Sequence, residues 1–370
     1  MRTRIAGKRE EWVKLPLERL YLEYTNRCNM SCTFCPYSCQ KRPKGRLKFE
    51  LMKRVVHEIT EKRIADLIEV TGYGEPLLNP QWYQISQYII RCGIRLNITT
   101  NGALLTEPVS ERLASLECED IIISLQTPDR ESFKLRKARI DFDTYIGRLK
   151  QFIAIHARLR SRSHIRLRFL NTVGTKQMSF PEPVSVLNSS GEMIARLKEW
   201  SKIVCDMIAI PYEEHEVDRK LAGIPRVRPA MVHVNNTVTL ESKLCNDYWV
   251  FGTGRPLRFP TRFARCRAMT LQNVIIYYDG QVSLCCADFD NYLNLGSLSD
   301  ASLTEVLHSE KAAALVEGFR RFRVRSQYCQ HCLGGNGLVL ATTKAIAASL
   351  YQLHVKEFAE FDLRGAETAA

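Results

Sequence analysis

The chain has 370 residues, 45% of them hydrophobic and 25% charged, and a formal charge of +13. This is an ordinary balance for a soluble globular protein, long enough for one large α/β domain and a smaller one. No apolar run approaches the roughly 20 residues that a membrane-spanning helix needs. The basic start, "MRTRIAGKREEWVKLPLERL", has no apolar stretch of the secretory kind, so a cytoplasmic protein is expected.

After an N-terminal extension at 1–18, short apolar runs alternate with helical patterns. The predicted strands are "LYLEYT" (20–25), "ADLIEVTG" (65–72), "IRLNITT" (94–100), "DIIISLQ" (120–126), "IRLRFLN" (165–171) and "DMIAI" (206–210). Between them lie amphipathic stretches such as "FELMKRVVHEITEKR" and "DTYIGRLKQFIAIHARLR". Such alternation predicts a parallel sheet with right-handed crossovers. Six units over 19–210, short of the eight of a closed barrel, predict a partial (β/α)6 barrel, with chemistry at the C-terminal ends of its strands. The segment 211–262 is rich in Pro and Gly and reads either as a linker or as a substrate cover. A small second module is expected at 263–340. In "NVIIYYDGQVSLCC", Asp279-Gly280 predicts a hairpin with a two-residue turn. A C-terminal helix and tail, beginning with "TTKAIAASLYQLHVKEFAEF", are expected at 341–370.

The positive charge is gathered in runs: Lys41, Arg42, Lys44, Arg46 and Lys48; Arg158, Arg160, Arg162, Arg166 and Arg168; Arg320, Arg321, Arg323 and Arg325. Solvated helix and loop faces are one reading; attraction of an acidic partner or a phosphorylated substrate is the other. No nucleic-acid module accompanies the charge, so nucleic acid is not expected as a partner.

Thirteen cysteines in a reducing compartment point to metal ligands, reactive thiols or small packing residues rather than disulfides. In "YTNRCNMSCTFCPYS", Cys28, Cys32 and Cys35 are spaced CxxxCxxC, three residues beyond the first strand. Thiolates at this density suit a soft metal or an iron–sulfur cluster. Three ligands leave one corner of a four-iron cube open, which serves a cluster that must bind a ligand.

On these residues the chain resembles the radical S-adenosylmethionine (SAM) superfamily, whose hallmark CxxxCxφC has an aromatic residue where Phe34 stands. The resemblance implies that Cys28, Cys32 and Cys35 hold a [4Fe–4S] cluster whose fourth iron is chelated by SAM. "TGYGEPLLNP" resembles the family's GGEP stretch at the methionine end of SAM. Gly74, Glu75 and Pro76 match it, and Tyr73 replaces the usual first glycine. Asn101 in "ITTNG" and Ser124 in "ISLQ" resemble positions near SAM's ribose and carboxylate, and Arg136 resembles an arginine that pairs with that carboxylate. Cys39 is read as a bystander.

Cys266, the Cys285-Cys286 pair, Cys329 and Cys332, with the hairpin and "LGSLSDASLTEVL", resemble the SPASM/twitch extension of the same superfamily. The resemblance implies one auxiliary [4Fe–4S] cluster on Cys266, Cys285, Cys329 and Cys332. Cys285 is preferred to Cys286 because it matches the family position, and neighbouring side chains in a hairpin point to opposite faces. A zinc ribbon is the other reading of these cysteine pairs. Cys92, Cys118, Cys205 and Cys245 read as packing residues, although Cys245 could donate a hydrogen atom to a substrate radical.

The implied activity is that of a radical SAM oxidoreductase. A 5′-deoxyadenosyl radical abstracts hydrogen from a small polyol, amino-sugar or aminocyclitol-like substrate, and the auxiliary cluster takes the electron. This pattern resembles the twitch-type dehydrogenases of aminocyclitol biosynthesis and points to natural-product or sugar biosynthesis. Other readings are a peptide-modifying maturase, a radical epimerase with a cysteine hydrogen donor, and a non-catalytic electron carrier. Only 27 residues precede Cys28, fewer than the roughly 80 expected of a peptide-recognition domain. Glu213, Glu214, His215 and His233 are candidate bases. An acidic flavodoxin- or ferredoxin-like reductant is the expected protein partner.

Overall fold

In the computed structural model, the described residues are 13–172, 182–222, 230–245, 259–266 and 273–335, parts of 337–349, and 359–362. Residues 1–12 of the N-terminal extension, 223–229 and 246–258 of the segment 211–262, and 350–358 and 363–370 of the tail lie outside them.

The short apolar runs become strands and the amphipathic stretches become helices. The chain runs β1 (Leu20–Leu22), α1 (Phe49–Glu61), β2 (Leu67–Val70), α2 (Trp82–Arg91), β3 (Arg95–Thr100), α3 (Glu107–Ser115) and β4 (Asp120–Gln126). It continues with α4 (Arg130–Phe133), α5 (Phe142–Arg158), β5 (His164–Asn171), α6 (Ser190–Ile208), α7 (Glu214–Leu221), β6 (Ala230–His233) and β7 (Val238–Leu244). Helix starts are marked by side-chain caps. Asp141 accepts from the Thr144 amide at 2.9 Å and opens α5; Ser189 accepts from Glu192 at 3.2 Å and opens α6. The apolar stripe of α1, Met52, Val55, Val56 and Ile59, is buried against the sheet.

Strands β1, β2, β3, β4, β5 and β7 pair in that order and all in parallel. These six form the (β/α)6 arc. β6 lies antiparallel beyond β7, and Ala359–Asp362 pairs in parallel with β6. The inner face of the arc, set by alternation along each strand, carries many polar residues: Tyr21, Glu69, Asn97, Asp120, Arg166, Arg168, Glu241 and Lys243. Ion pairs knit this lining together, Arg166 Nη2 to Asp120 at 2.9 Å and Arg168 Nε to Glu241 at 3.0 Å.

Three expectations are corrected here. The run "DMIAI" is not the sixth strand: Asp206, Met207 and Ile208 close α6, and Ala209 ends it in a left-handed conformation at φ 55°. A four- or five-residue apolar run fits a helix end as well as a strand, and the long helix claims it. The sixth parallel strand is β7, inside the stretch expected to be a linker or cover, so that stretch helps to build the barrel. In the tail, the described residues between 341 and 349 are helical, but Ala359–Asp362 is a strand, because β6 offers it an open edge.

The C-terminal module continues the same sheet. Its strand β8 (Ile275–Ile276) pairs in parallel with β1, and β9 (Gln281–Ser283) and β10 (Gly296–Ser297) extend it antiparallel. The predicted hairpin is present, but its loop has three residues. The Tyr277 amide donates to the Gln281 carbonyl at 2.9 Å and the Gly280 amide to Tyr277 at 2.9 Å, which leaves Tyr278, Asp279 and Gly280 in the loop. Gly280 takes φ +83°, the left-handed position such loops reserve for glycine. Helix Leu303–Leu307 opens with a Ser302–Glu305 capping box. Glu58 of α1 accepts from the Leu303 amide at 2.8 Å, which docks this helix on the barrel. None of the described helices is long and apolar enough to cross a membrane.

Part of the first basic run is structural. Arg42 makes a two-pronged bond to Glu23, at 2.7 and 3.0 Å, with the Glu23 side chain fully buried. The same guanidinium lies 4.1 Å from the Tyr277 ring centroid and donates to the Phe289 carbonyl at 3.3 Å. It therefore ties the cysteine loop to both β1 and the C-terminal module.

Candidate active site at the barrel mouth

At the C-terminal ends of the strands, a cavity of about 260 Å³ opens. Its lining includes Cys28, Cys32, Phe34 and Cys35 from the loop after β1, Gly74 and Glu75 after β2, and Asn101 after β3. Ser124, Arg136 and Cys245 complete the set of expected residues found there, while Pro76 is buried beneath it and begins a short helical turn. Residues separated by more than 200 positions thus share one wall because each follows a strand of a single arc.

The second loop is fixed by backbone contact. A Cβ on Gly74 would stand 2.1 Å from the Thr25 carbonyl oxygen and 2.8 Å from that of Arg27. The Glu75 amide donates to the Arg27 carbonyl at 2.8 Å, so the stretch "GYGEP" packs directly on the approach to Cys28. The Glu75 carboxylate is buried and accepts from the Asn101 amide at 2.7 Å, Thr100 Oγ1 at 2.8 Å and the Leu77 amide at 3.2 Å. Burial raises its pKa to about 7 against the pull of these donors. Tyr73, in the place of the expected glycine, lines the cavity and donates to the Ala287 carbonyl at 3.0 Å. Tyr328 donates to the same oxygen at 2.9 Å.

Asn101 Nδ2 lies 3.8 Å from the Cys28 sulfur and donates to Asn29 at 2.7 Å. Burial, then the Glu75 carboxylate, pushes the Cys28 thiol up to about 12; burial also raises Cys35 and, against the pull of the Arg136 guanidinium, Cys32. Arg136 is 1% exposed, donates to the Leu125 carbonyl at 2.9 Å and Tyr145 at 2.7 Å, and keeps a buried Nε with no hydrogen-bond partner. A buried cationic donor left over beside three thiols is what an anionic group of a cofactor would satisfy. Gln126, also in the lining, takes φ 48°, a strained conformation for a residue with a side chain.

In the C-terminal module, burial and then the neighbouring Cys286, Cys266, Cys332 and Cys329 thiols raise Cys285 well above the ordinary thiol range. The four expected auxiliary thiols are therefore neighbours. Cys286 also lies near Cys266 but bonds Tyr21 of β1. Burial and Glu69 raise it to about 11, while a hydrogen bond with Tyr21 and the nearby Lys243 ammonium act against them. It faces the barrel interior, which favours Cys285 as the ligand. Among the described residues, all the cysteines are free, and no three His, Cys, Asp or Glu side chains close around a single-ion site.

The expected bases are not brought to the cavity. Glu213, Glu214 and His215 are exposed around the start of α7, and His233 bonds Thr239 Oγ1 at 2.9 Å on β6. Sequence reasoning missed Lys243 and named Arg168 only within a basic run, without placing it at the site; both are in the cavity lining. The signal was present in "IRLRFLN", where arginines alternate with buried apolar residues. In a barrel whose interior is polar, the alternating charged face points inward.

An arc of six parallel strands carrying three free thiols at its mouth, with a second thiol cluster docked beside it, offers the soft donor sets that iron–sulfur clusters take. The chain matches the radical SAM superfamily over residues 22–178 and an iron–sulfur cluster-binding (SPASM) domain over residues 266–333. It is a radical SAM enzyme with a C-terminal SPASM domain, and its cofactors are SAM, a [4Fe–4S] cluster and auxiliary iron–sulfur chemistry. It is 24% identical over 288 residues to a tungsten-containing aldehyde ferredoxin oxidoreductase cofactor-modifying protein of Pyrococcus furiosus, covering 70% of this chain and 80% of that one. It is 28% identical over 132 residues to a mycofactocin maturase of Mycobacterium tuberculosis, which is 36% of this chain but only 33% of that protein. In fold it resembles SuiB of Streptococcus suis bound to S-adenosylmethionine, with a TM-score of 0.53 and 16% identity over 86% of this chain and 73% of that one.

Proposed function

We propose that the chain oxidises a C–H bond next to oxygen or nitrogen in a small polyol or sugar-like substrate. When bound at Cys28, Cys32 and Cys35, the SAM-binding cluster supplies a hydrogen-abstracting 5′-deoxyadenosyl radical, and a cluster on Cys266, Cys285, Cys329 and Cys332 supplies an electron acceptor. The substrate loses one hydrogen atom, then one proton and one electron. The observation that carries this reading is the docking of the second thiol set against the barrel. Cys285 stands next to Cys286, which bonds Tyr21 on the barrel's inner face, and Tyr73 after β2 holds the Ala287 carbonyl two residues further on. An electron leaving the cavity has a short covalent and hydrogen-bonded path to those thiols. Replacing Cys329 and Cys332 with Ala should leave 5′-deoxyadenosine formation in place but stop the oxidised product; undiminished oxidised product would overturn the reading. The positive surface suits an acidic flavodoxin- or ferredoxin-like reductant, whose docking should weaken with salt.

A second reading is favoured by one observation. Cys245, expected only to pack, lines the cavity, and burial raises its thiol to about 12, so it carries a hydrogen at neutral pH. If it quenches the substrate radical, the outcome is epimerisation: Cys245→Ala would end turnover, and solvent deuterium would appear at carbon in the product of the unaltered enzyme.

A further inference from the structure

We propose that the substrate carries an acidic group, a phosphate or a carboxylate, and that Lys243 and Arg168 bind it. This deepens the oxidation reading and rests on the same cavity. β5 and β7 pair in parallel with Arg168 opposite Glu241 and Leu170 opposite Lys243, which sets the two cations on adjacent strands one step apart along the barrel axis. Both line the cavity, together with Cys245 and the triplet.

The charge around the cavity is lopsided. Its charged lining is Arg136, Arg168 and Lys243 against the single carboxyl of Glu75. Glu241 pairs with Arg168 Nε at 3.0 Å and is 1% exposed. Burial alone would raise the Glu241 carboxyl, but Arg168, Lys243 and Arg166 overcome it and hold it below its ordinary value. Glu241 is in register with Arg168 on the next strand and is not part of the cavity lining, while Arg166 has its own partner in Asp120. Arg136, with its leftover Nε, stands beside Cys32 at the triplet. That leaves Arg168 and Lys243 as the cationic wall away from the triplet. Two cations of this kind in a half-buried cavity favour an anion through charge-assisted hydrogen bonds and repel an ammonium group. The same wall therefore argues against the amino group of an amino-sugar or aminocyclitol at this point. It also gives a place to one run of basic residues, since Arg166 and Arg168 face inward.

The test uses the reconstituted, SAM-saturated enzyme under anaerobic conditions at constant ionic strength. Thermal unfolding is followed with increasing inorganic phosphate, acetate or chloride, and then with glucose 6-phosphate, glucuronate or glucose. Phosphate or acetate should raise the melting temperature saturably where chloride does not, and whichever of the two is stronger identifies the acidic group. The acidic sugar of that class should act at lower concentration than glucose. Lys243→Gln should weaken the effect on the order of tenfold or more, and Lys243→Arg should restore most of it. The proposal is overturned if neither anion exceeds chloride in the unaltered enzyme, a result that does not depend on how any variant folds. A SAM-free sample is melted alongside, and the proposal is also overturned if the anion effect appears there but is lost on SAM saturation, since the cations would then serve the cofactor. Anion binding is read without turnover, so its failure leaves the oxidation reading standing, and failure of the oxidation test leaves this one intact.

Discussion

At the scale of single residues, Glu75 is the most exposed to a direct test. Its three hydrogen-bond donors come from the loop after β2 and from the end of β3, so one carboxyl holds together two of the segments that shape the cavity. Its pKa is about 7 in the folded chain against an ordinary 4.5. The folded state therefore binds the proton more tightly than the unfolded state does. Stability from this group is full below the lower value and is lost as pH rises through the upper one. Glu75→Gln removes that titration. In melts of the cluster-free chain, the unaltered protein should lose stability relative to Glu75→Gln between pH 5 and pH 7; a gap that stays constant across that window would contradict the assignment.

Among elements, the loop after β2 carries the sharpest prediction. A methyl group at position 74 would meet two backbone carbonyls of the segment leading to Cys28, and neither can swing aside as a side chain could. Gly74→Ala should displace that segment and lower the iron content of reconstituted protein from about eight to about four per chain, with far-ultraviolet circular dichroism unchanged. Full iron loading would show that the close approach is not needed. This loop was legible because glycine and proline punctuate it in a fixed order beside a strand. The sixth strand was not: β7 reads "VTLESKL", with Glu241 and Lys243 inward as Arg166 and Arg168 are on β5, but it sits in a Pro- and Gly-rich stretch with no sustained apolar signature. The short run "DMIAI" carried that signature by accident of its place on an amphipathic helix.

Over the whole molecule, the alternation of strands and helices and the two groups of cysteines were enough to reveal the barrel, the cysteine triplet at its mouth and the attached module. How the parts are joined was not legible. Arg42 reads as one charge in a basic run, yet it is buried against Glu23, Tyr277 and Phe289. Only the fold brings residues 23 and 277 to it. Arg42→Met strands the Glu23 carboxylate in the interface, which should cost about 3–5 kcal/mol of unfolding free energy in urea titrations. A loss below about 1 kcal/mol would mean that the pair is solvated and the two parts are joined by the sheet alone.

The central claim is that two separate thiol sets hold two clusters, and that only the triplet at the barrel mouth cleaves SAM. The most direct measurement is iron content together with 5′-deoxyadenosine formation in the Cys28→Ala, Cys32→Ala, Cys35→Ala triple variant beside the unaltered enzyme. The unaltered enzyme should hold about eight irons per chain and form 5′-deoxyadenosine under reducing conditions; the variant should keep about four irons and form none. Continued 5′-deoxyadenosine formation by the variant would contradict the account.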